Sequence, residues 1–460
     1  MDVDEAMARQ SEARKRRKVM LLRLISLIPL SGIVLGMVLL GGGEVPNEQD
    51  ESVIVYLTDD LDRDDPPATS DDAVDEGDQR EPVEIRLQFA GDVFLHWGPI
   101  EAARTGENTF DFRPFVTHIR PFIDGDLAIV NMEVPVDAFG QNEGLSSFPF
   151  FNSPFEILDA VQYAGFNHLI SANNHSFDQG FQGLLNTVDR FERAGISHTG
   201  MHVDWDDFHT PTLIDVNGIQ VGILAYTDSV NGLESLVPEA SRAYAVRRFR
   251  SHVLDDVPDM IADMEALREA GAELVILALH WGEEYGNAPT EMQRVIAKAL
   301  SEAGADVIMG KHPHTVHPVE WHEREDGTRT LIMYSLGNFI ADQTRLTDAS
   351  VQAQMSMGTD NSMGIPFAGR TQFGMLVSLQ VIRESDGRMT LETADVVPTL
   401  AMRDFSGQVL RHVDDVTIMP LIGGELPMFI TDELYRTWGR VAYNHVVDIV
   451  GEAFIRQPDE

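Results

Sequence analysis

Short apolar runs alternate with amphipathic segments from Ile85 to about Leu400. Short apolar runs between polar or glycine-containing stretches are typical of buried strands, whereas apolar residues three or four apart are typical of helices. This order of elements predicts an α/β fold with a largely parallel sheet that antiparallel strands join later. The predicted strands are 85–90, 127–130, 168–172, 220–226, 273–280, 306–310, 330–336 and 373–382, and the predicted helices are 154–165, 179–194, 256–270 and 290–303.

Two segments fit neither period. Residues 341–371 form a stretch too long for an ordinary connection, and such stretches are usually lids, binding loops or disordered segments. Residues 401–460 mix helix-like pieces and are interpreted as a C-terminal extension of the main domain, which we place at 84–400.

The N-terminal pattern predicts a membrane anchor. A basic tail at 1–19 contains the run "ARKRRK" and precedes an apolar segment at 20–42, whose uncharged core runs from Leu24 to Leu40. That core is about the length of the shortest membrane-spanning helix. The basic flank predicts a single-pass protein with a cytoplasmic N-terminus and an extracellular main domain. A cleaved signal peptide is the alternative, but no A-x-A-like site follows Leu40.

Residues 43–83 are predicted to be a disordered acidic linker. Sixteen acidic residues and two arginines lie between Glu44 and Glu84, together with four prolines. Such a segment buries too little apolar surface to offset its ordering entropy, and its charges repel one another. We therefore expect an extended tether between the membrane and the main domain.

Composition excludes several classes of protein. The formal net charge of −40 argues against nucleic acid as a partner, because neutralising phosphates requires a basic surface. There is no cysteine, which excludes a disulfide framework and a lipid-modified cysteine anchor.

Side chains able to bind metal follow five of the predicted strands. Ligands of open α/β sheets bind outside the carboxyl ends of the strands, so these groups are expected to meet in one crevice. Oxygen and imidazole ligands without a thiolate favour Mn, Zn or Fe, and the set is large enough for two divalent ions. The predicted ligands are Asp92, Glu133, Asn174, His280, His312 and His314, with Asn131 and His175 beside them.

The spacing of three histidines suggests how two of them share a metal. Residues two apart in an extended segment point to the same side, and Pro313 favours an extended His312. His312 and His314 are therefore expected to face one centre, while His317 is expected near the site or on the surface.

Simpler interpretations exist for each residue taken alone. His280 could be a hydrogen-bonded structural histidine, and Asn174 could end its strand in a turn. Asp92 could cap a helix, and Glu133 could be solvated. Asp178 could fix the tautomer of a neighbouring histidine or could cap the helix that follows.

Six ordered motifs resemble the CapA/PgsA family, which is named for poly-γ-glutamate capsule synthesis and is similar to calcineurin-like metallophosphoesterases. The resemblance covers roughly residues 83–400 and implies a four-layer αββα sandwich of metallophosphoesterase type. The motifs are "GDVFLHWG" (91–98), "NMEVPV" (131–136), "SANNHSFDQG" (171–180), "LHWGEEY" (279–285), "GADVIMGKHPH" (304–314) and "YSLGNF" (334–339).

The resemblance also implies roles for single residues. His175 is expected to assist catalysis together with Asp92, and Asn131 or Glu133 occupies the position of a bridging aspartate. The "GDVFLH" motif lacks the histidine that phosphoesterases have two residues after the aspartate, so one ion is expected to be bound weakly or with altered geometry. Asn131, Tyr334 and Asn338 are the expected substrate contacts, and Asp178 and Glu320 the expected outer acceptors.

Three functions remain open at this point. The first is an extracytoplasmic metal-dependent hydrolase acting on poly-γ-glutamate or another anionic or phosphorylated cell-surface substrate. The second is a membrane scaffold that helps capsule or poly-γ-glutamate synthetase subunits to export their polymer. The third is a metal-assisted peptide epimerase that uses the same ligands.

The net charge conflicts with a polyanionic substrate. A chain with a net charge of −40 repels a polyanion. Salt at physiological ionic strength screens this repulsion at distances beyond about 8 Å. Either the metal ions and arginines such as Arg345 and Arg370 create a positive cleft, or the substrate is different.

Overall fold

The structure is a computed structural model that describes residues 81–343, 367–403, 416–426 and 433–457. The predicted tail, the predicted anchor, nearly all of the predicted linker and Arg345 lie outside these ranges, as does most of 341–371. Within the described ranges, none of the helices has the length and hydropathy needed to span a bilayer.

The described residues include fourteen strands and eight α-helices. The strands are β1 (Val83–Phe94), β2 (Leu127–Met132), β3 (His168–Ile170), β4 (Ser197–Thr199), β5 (Thr212–Val216), β6 (Ile219–Thr227), β7 (Leu274–His280), β8 (Val307–Lys311), β9 (Val319–Glu323), β10 (Arg329–Met333), β11 (Asn338–Ala341), β12 (Phe373–Arg383), β13 (Met389–Arg403) and β14 (Val416–Pro420). The helices are α1 (Trp97–Ala102), α2 (Glu156–Ala164), α3 (Gly180–Ala194), α4 (Trp205–His209), α5 (Val257–Glu269), α6 (Glu291–Glu302), α7 (Phe367–Arg370) and α8 (Glu433–Val450).

All eight predicted strands and all four predicted helices are present, with small shifts at their ends. Local signals set some of these ends. Thr290 and Gln293 form a capping box at the start of α6, and α2 ends at Gly165 in the left-handed conformation. The six strands β4, β5, β9, β11, β13 and β14 were not predicted.

The strands form two sheets. The first has the order β14-β13-β12-β1-β2-β3-β4, with β11 also paired to β1, and the second has the order β5-β6-β7-β8-β10-β9. Strands β1, β2, β3 and β4 run parallel, whereas β12, β13 and β14 join as antiparallel strands. The predicted mixture of parallel and later antiparallel strands is therefore confirmed, as a two-sheet α/β sandwich.

Three hydrophobic clusters hold the sheets and helices together. In β1, Leu87 and Phe89 point into the cluster between the two sheets, where they join Ile276 of β7. Val93 and Phe94 belong to a second cluster, on the other face of the first sheet, with residues of α2. A third cluster packs α5 and α6 against the outer face of the second sheet. The packing of the two sheets against each other places the ends of their strands close together.

The described part of 401–460 belongs to the same unit. The boundary expected at residue 400 falls inside β13, and β14 extends the first sheet beyond it. Helix α8 places Trp438, Ala442 and Val446 in the cluster between the sheets. Their spacing of four residues is that of one helix face, and the Trp438 indole also donates to the side chain of Gln372.

Gly91 fixes the position of Asp92. A Cβ atom on Gly91 would lie 1.9 Å from the carbonyl oxygen of Gly337, which accepts a hydrogen bond from the Asp92 amide. Only glycine permits this approach, which pairs the end of β1 with β11.

We expect Gly91→Ala to lower the free energy of unfolding by about 3 kcal/mol or more, because the obstructing atom belongs to a backbone. Gly387→Ala is the control, since Gly387 has a φ of +83° and a Cβ atom added there would meet no atom within 4 Å. That control should lose about 1–2 kcal/mol from backbone strain alone. Urea denaturation measures both variants, and equal losses would contradict the close approach.

Candidate metal centre

The carboxyl ends of strands from both sheets meet at one place. Asp92 lies near the end of β1, Glu133 follows β2, and Asn174 lies in the turn after β3. From the second sheet, His280 ends β7, and His312 and His314 follow β8. All six predicted ligands are therefore brought to the same edge, as expected for an open α/β sheet.

Asn131 holds two fully buried carboxylates side by side. Its Nδ2 donates to Asp92 Oδ1 at 2.7 Å and to Glu133 Oε2 at 3.1 Å. Asp92 and Glu133 are each 0% exposed, so Glu133 is not solvated, and Asp92 is a strand residue that caps no helix. Asn131, which was predicted to bind substrate, thus contacts both carboxylates.

Glu133 connects the carboxylates to the imidazoles. Its Oε1 lies 3.4 Å from Nε2 of His280 and 3.4 Å from Nε2 of His314. Glu133, His312 and His314 each offer a ligand atom within 4.8 Å of the others. His280 Nε2 also lies 3.0 Å from Asn174 Oδ1, and Asp92 Oδ2 lies 3.1 Å from His314 Nδ1.

Many polar atoms in this cluster are buried without a hydrogen-bond partner. Such atoms are rare in folded proteins because each carries a desolvation cost of about 1–3 kcal/mol. Their concentration at one point indicates a site built for a group that accepts several lone pairs. The atoms are Asp92 Oδ2, Asn131 Oδ1, Glu133 Oε1, His280 Nδ1, His312 Nδ1 and His314 Nε2.

The electrostatics of the cluster also favour a cation. Burial and then the charge of Asp92 raise the pKa of Glu133 well above its ordinary value. Burial raises the pKa of Asp92 as well, but His314 and Asn131 outweigh this effect and leave the pKa lowered. Burial, followed by the neighbouring imidazole of His314, lowers the pKa of His312 to about 3. Neutral imidazoles beside crowded carboxylates are the state in which a divalent ion binds.

The backbone at the histidine pair differs from the prediction. His312 has a φ of +101° and His314 a φ of +57°, so the segment is not extended, although both rings do face one centre. The preference imposed by Pro313 is overridden because its carbonyl accepts from the Tyr285 amide while both imidazoles reach Glu133. Such conformations cost on the order of 1–3 kcal/mol and are concentrated at functional sites.

His175 lies beside the ligand cluster. Its Nδ1 is 2.8 Å from Asp178 Oδ2, which also accepts from the Phe151 amide. Because α3 begins after Asp178, with Gln179 as its N-terminal cap, Asp178 contacts the histidine rather than capping the helix. The ring of Phe94 stacks on His314 at 4.9 Å and lies 5.2 Å from His175.

The remaining predicted residues divide into two groups. Asn338 adjoins the cluster, since its Oδ1 lies 3.0 Å from His314 Nδ1. Tyr334 and Glu320 do not: the Tyr334 ring packs on Trp281 and under Arg294, and Glu320 forms an ion pair with Arg294 at 2.9 Å. These side chains point toward α6, which packs on the second sheet, and the structure does not place them with the ligand residues.

Lys311 was not predicted as part of the site. It is fully buried, donates to the carbonyl oxygen of Ala172 at 2.8 Å, and links the end of β8 to the turn after β3. Burial lowers its pKa to about 7 against the attraction of Asp92 and Glu133. The sequence signal that could have identified Lys311 is its position at the end of a buried strand, directly before the histidine pair.

The residues present fit a divalent metal ion. They supply carboxylate oxygens, an amide oxygen and imidazole nitrogens from both sheets, with several of these atoms lacking any other partner. Glu133, His312 and His314 would hold an ion, with Asp92, Asn174 and His280 adjoining them. This donor set suits Mn, Zn or Fe.

The fold and site define an α/β protein with a cluster of buried carboxylates and imidazoles at one sheet edge, and comparison with known proteins identifies its family. The family described as Bacterial capsule synthesis protein PGA_cap matches residues 86–343, more than half of the 460 residues. The chain therefore belongs to this capsule synthesis family. The resemblance to CapA/PgsA proteins is confirmed.

Two relatives of the chain are named CapA proteins. The chain is 34% identical over 272 residues to the PGA biosynthesis protein CapA of Bacillus subtilis, covering 58% of this chain and 66% of the relative. It is 29% identical over 278 residues to the capsule biosynthesis protein CapA of Bacillus anthracis, covering 59% and 64%. The matched segment thus spans slightly less than two thirds of the length of these relatives.

Solved structures give only a distant similarity. The NAD nucleotidase of Haemophilus influenzae is 12% identical with a TM-score of 0.38, over 83% of this chain and 58% of that chain. A likeness of this size carries no argument about the site or its chemistry.

We expect Asn131→Ala to weaken divalent-metal affinity by about 10–100-fold, because the variant leaves two buried carboxylates without their shared donor. Asn186→Ala is the matched control, since Asn186 lies on α3 and donates to the carbonyl oxygen of Ala138, away from the ligands. Metal titration by isothermal calorimetry measures both. Wild-type affinity in Asn131→Ala would show that this carboxylate pair does not hold the ion.

Proposed function

We propose that this chain is a divalent-metal-dependent hydrolase of phosphoesterase type that acts in capsule or poly-γ-glutamate biosynthesis. Membership of the capsule synthesis family supports the biological role. The single observation that supports metal-dependent chemistry is the convergence of unpartnered buried ligand atoms from both sheets on Glu133.

The ligand set extends beyond one group of three residues. Glu133 Oε1 stands between His280 and His314, at 3.4 Å from each, as a carboxylate shared by two positions would. His280 also contacts Asn174 at 3.0 Å, and His314 also contacts Asp92 at 3.1 Å. We therefore infer two ion positions in a four-layer fold of metallophosphoesterase type.

When bound, the metal would supply a Lewis acid and a nucleophile active at neutral pH. The protein's own residues do the remaining work. Asn131 keeps Asp92 and Glu133 in place, and Phe94 excludes water from one side of His314. Asp178 accepts from Nδ1–H of His175, so Nε2 of the neutral ring carries a lone pair that can take up a proton. The resulting imidazolium can give that proton from Nε2 to a leaving group and return to the neutral tautomer.

The location and the partners of the protein are proposals that rest on the N-terminal sequence. A basic tail followed by an apolar segment at 20–42 and an acidic stretch at 43–83 supports a single-pass anchor with the main domain outside the cell membrane. A protein held there would meet capsule or poly-γ-glutamate synthetase subunits and the anionic polymer that they export.

Replacing His312 and His314 together by alanine should reduce bound metal to less than about a tenth of the wild-type amount, because two of the three grouped ligands are lost. Hydrolysis of bis(p-nitrophenyl) phosphate should disappear with the metal. Inductively coupled plasma mass spectrometry of the purified full chain measures the metal, and absorbance measures hydrolysis.

His322→Ala is the matched control, because His322 pairs with Glu302 at 2.7 Å outside the cluster and should keep both metal and activity. Wild-type metal content in the double variant would end the proposal. Loss of metal with unchanged polymer production in cells would favour the scaffold. Inversion of the Cα configuration of a γ-glutamyl residue without hydrolysis of its peptide bond would favour the epimerase. That activity can use the same His175–Asp178 pair.

A further inference from the structure

Asn338 uses every polar group of its side chain inside the protein. The residue is 1% exposed, and its Nδ2 donates to the carbonyl oxygen of Thr371 and to Oε1 of Gln343, each at 2.8 Å. Both amide protons are therefore engaged, and neither is left for the substrate that Asn338 was expected to contact. Because a backbone carbonyl can only accept a hydrogen bond, the Thr371 contact fixes which end of the amide is the nitrogen. The other end, Oδ1, then faces His314 Nδ1 at 3.0 Å.

The contact with Asn338 determines where the proton of His314 lies. A neutral imidazole carries one N–H, and an amide oxygen can only accept, so Nδ1 of His314 is the protonated nitrogen. Asp92 Oδ2 lies 3.1 Å from the same Nδ1, but it is one of the buried atoms that have no hydrogen-bond partner, so the N–H bond is aimed at Asn338. The lone pair of the His314 ring is therefore on Nε2.

Nε2 of His314 faces the carboxylate at the centre of the cluster. It is buried without a hydrogen-bond partner and lies 3.4 Å from Oε1 of Glu133, which also lacks a partner. A metal ion binds the unprotonated nitrogen of an imidazole, and a hydrogen bond at the other nitrogen fixes both the tautomer and the direction of the ring. We propose that Asn338 is the positioning residue of His314: it holds the ring as the Nδ1–H tautomer and thereby makes Nε2 the ligand atom.

The pairing of β1 with β11 places Asn338 where this contact can form. The Asp92 amide donates to the carbonyl oxygen of Gly337, the residue before Asn338, at 3.0 Å, and Asn338 lies opposite Asp92 in the parallel register. The strand end that carries one predicted ligand therefore also locates the residue that orients another.

A hydrogen-bond network keeps the Asn338 amide in this orientation. Gln343, which accepts from Asn338, donates through Nε2 to the hydroxyl of Tyr285 at 3.3 Å. The Tyr285 amide in turn donates to the carbonyl oxygen of Pro313 at 2.9 Å. The network thus returns to the loop that carries His314, so the acceptor and the ring are held relative to each other.

This inference rests on the metal centre of the proposed hydrolase, but its first test needs no metal. Heteronuclear NMR of the metal-free full chain with isotope-labelled histidine reports which ring nitrogen is protonated, and His314→Gln identifies the signals of His314. We expect Nδ1 of His314 to be protonated and Nε2 to be unprotonated in the wild type. Protonation of Nε2 instead would overturn the proposal, and this measurement requires no substitution at position 338.

Asn338→Leu should lose this preference for Nδ1–H, because leucine has a similar size and no acceptor. Calorimetric titration of the full chain with Mn²⁺ should show an affinity about 10–100-fold weaker than that of the wild type, as for other lost partners of ligand histidines. Asn338→Asp should recover most of this affinity, because a carboxylate oxygen accepts the same Nδ1–H bond. The aspartate cannot donate to Thr371 or Gln343, so recovery separates orientation of the ring from packing.

Asn167→Leu is the matched control. The Asn167 side chain accepts from the Ala128 amide and donates to the carbonyl oxygen of Asp126, both at 2.9 Å, at the opposite end of β2 from the ligands. This variant should keep the wild-type Mn²⁺ affinity and the wild-type tautomer of His314.

Wild-type Mn²⁺ affinity in Asn338→Leu, or no recovery in Asn338→Asp, overturns the positioning role and leaves the hydrolase proposal standing. A wild-type chain that binds no divalent ion refutes the hydrolase proposal instead. In that chain the tautomer still decides the role of Asn338: loss of Nδ1–H in Asn338→Leu supports it, and retention of Nδ1–H overturns it.

Discussion

The contact of Glu133 with His280 and His314 joins the two halves of the candidate metal centre. The carboxylates come from the first sheet and the imidazoles from the second, and Oε1 of Glu133 lies 3.4 Å from both rings. This contact exists only because the sheets pack face to face through a continuous apolar cluster. The position of every ligand therefore depends on the packing between the sheets, which in turn depends on residues such as Phe89 and Ile276.

The same contact makes the centre unstable without a compensating charge. Two carboxylates share one donor, Asn131, and the crowding raises the pKa of Glu133 well above its ordinary value. Lys311 offsets part of the negative charge of Asp92 and Glu133, although burial lowers the pKa of Lys311 to about 7. Strained backbone at His312 and His314 adds to the cost. A fold maintains such an arrangement when a bound ligand compensates for it.

The C-terminal region extends the core beyond the segment that the family match covers. That match ends at residue 343, whereas β12, β13, β14 and α8 follow it. Helix α8 is held in place because Trp438, Ala442 and Val446 bury one of its faces between the sheets. The region after the family match also reaches the candidate metal centre, because the carbonyl oxygen of Thr371 accepts from Asn338, whose Oδ1 lies 3.0 Å from His314 Nδ1.

The sequence was sufficient for the elements whose signal is local. Each predicted strand and helix has a continuous apolar run or a helical period, and each predicted ligand follows a strand, so the edge of the sheet could be identified before any contact was known. Six strands, β4, β5, β9, β11, β13 and β14, were missed because polar residues interrupt their apolar runs or leave those runs only a few residues long. Tyr334 and Glu320 were assigned to the site from the sequence, but the Tyr334 ring and the Glu320 carboxylate contact Arg294 of α6.

Residue types and their order along the chain therefore determined which ligand atoms the candidate site contains, since ligand atoms and strand ends are encoded locally. Tertiary structure decided which of those residues meet. The pairing of Asp92 with Asn131, the reversal of the backbone at His312 and the contact of Glu133 with His280 all depend on packing between segments far apart in sequence. Such packing is set by the complementary shapes of two sheets and a terminal helix, which no local pattern records.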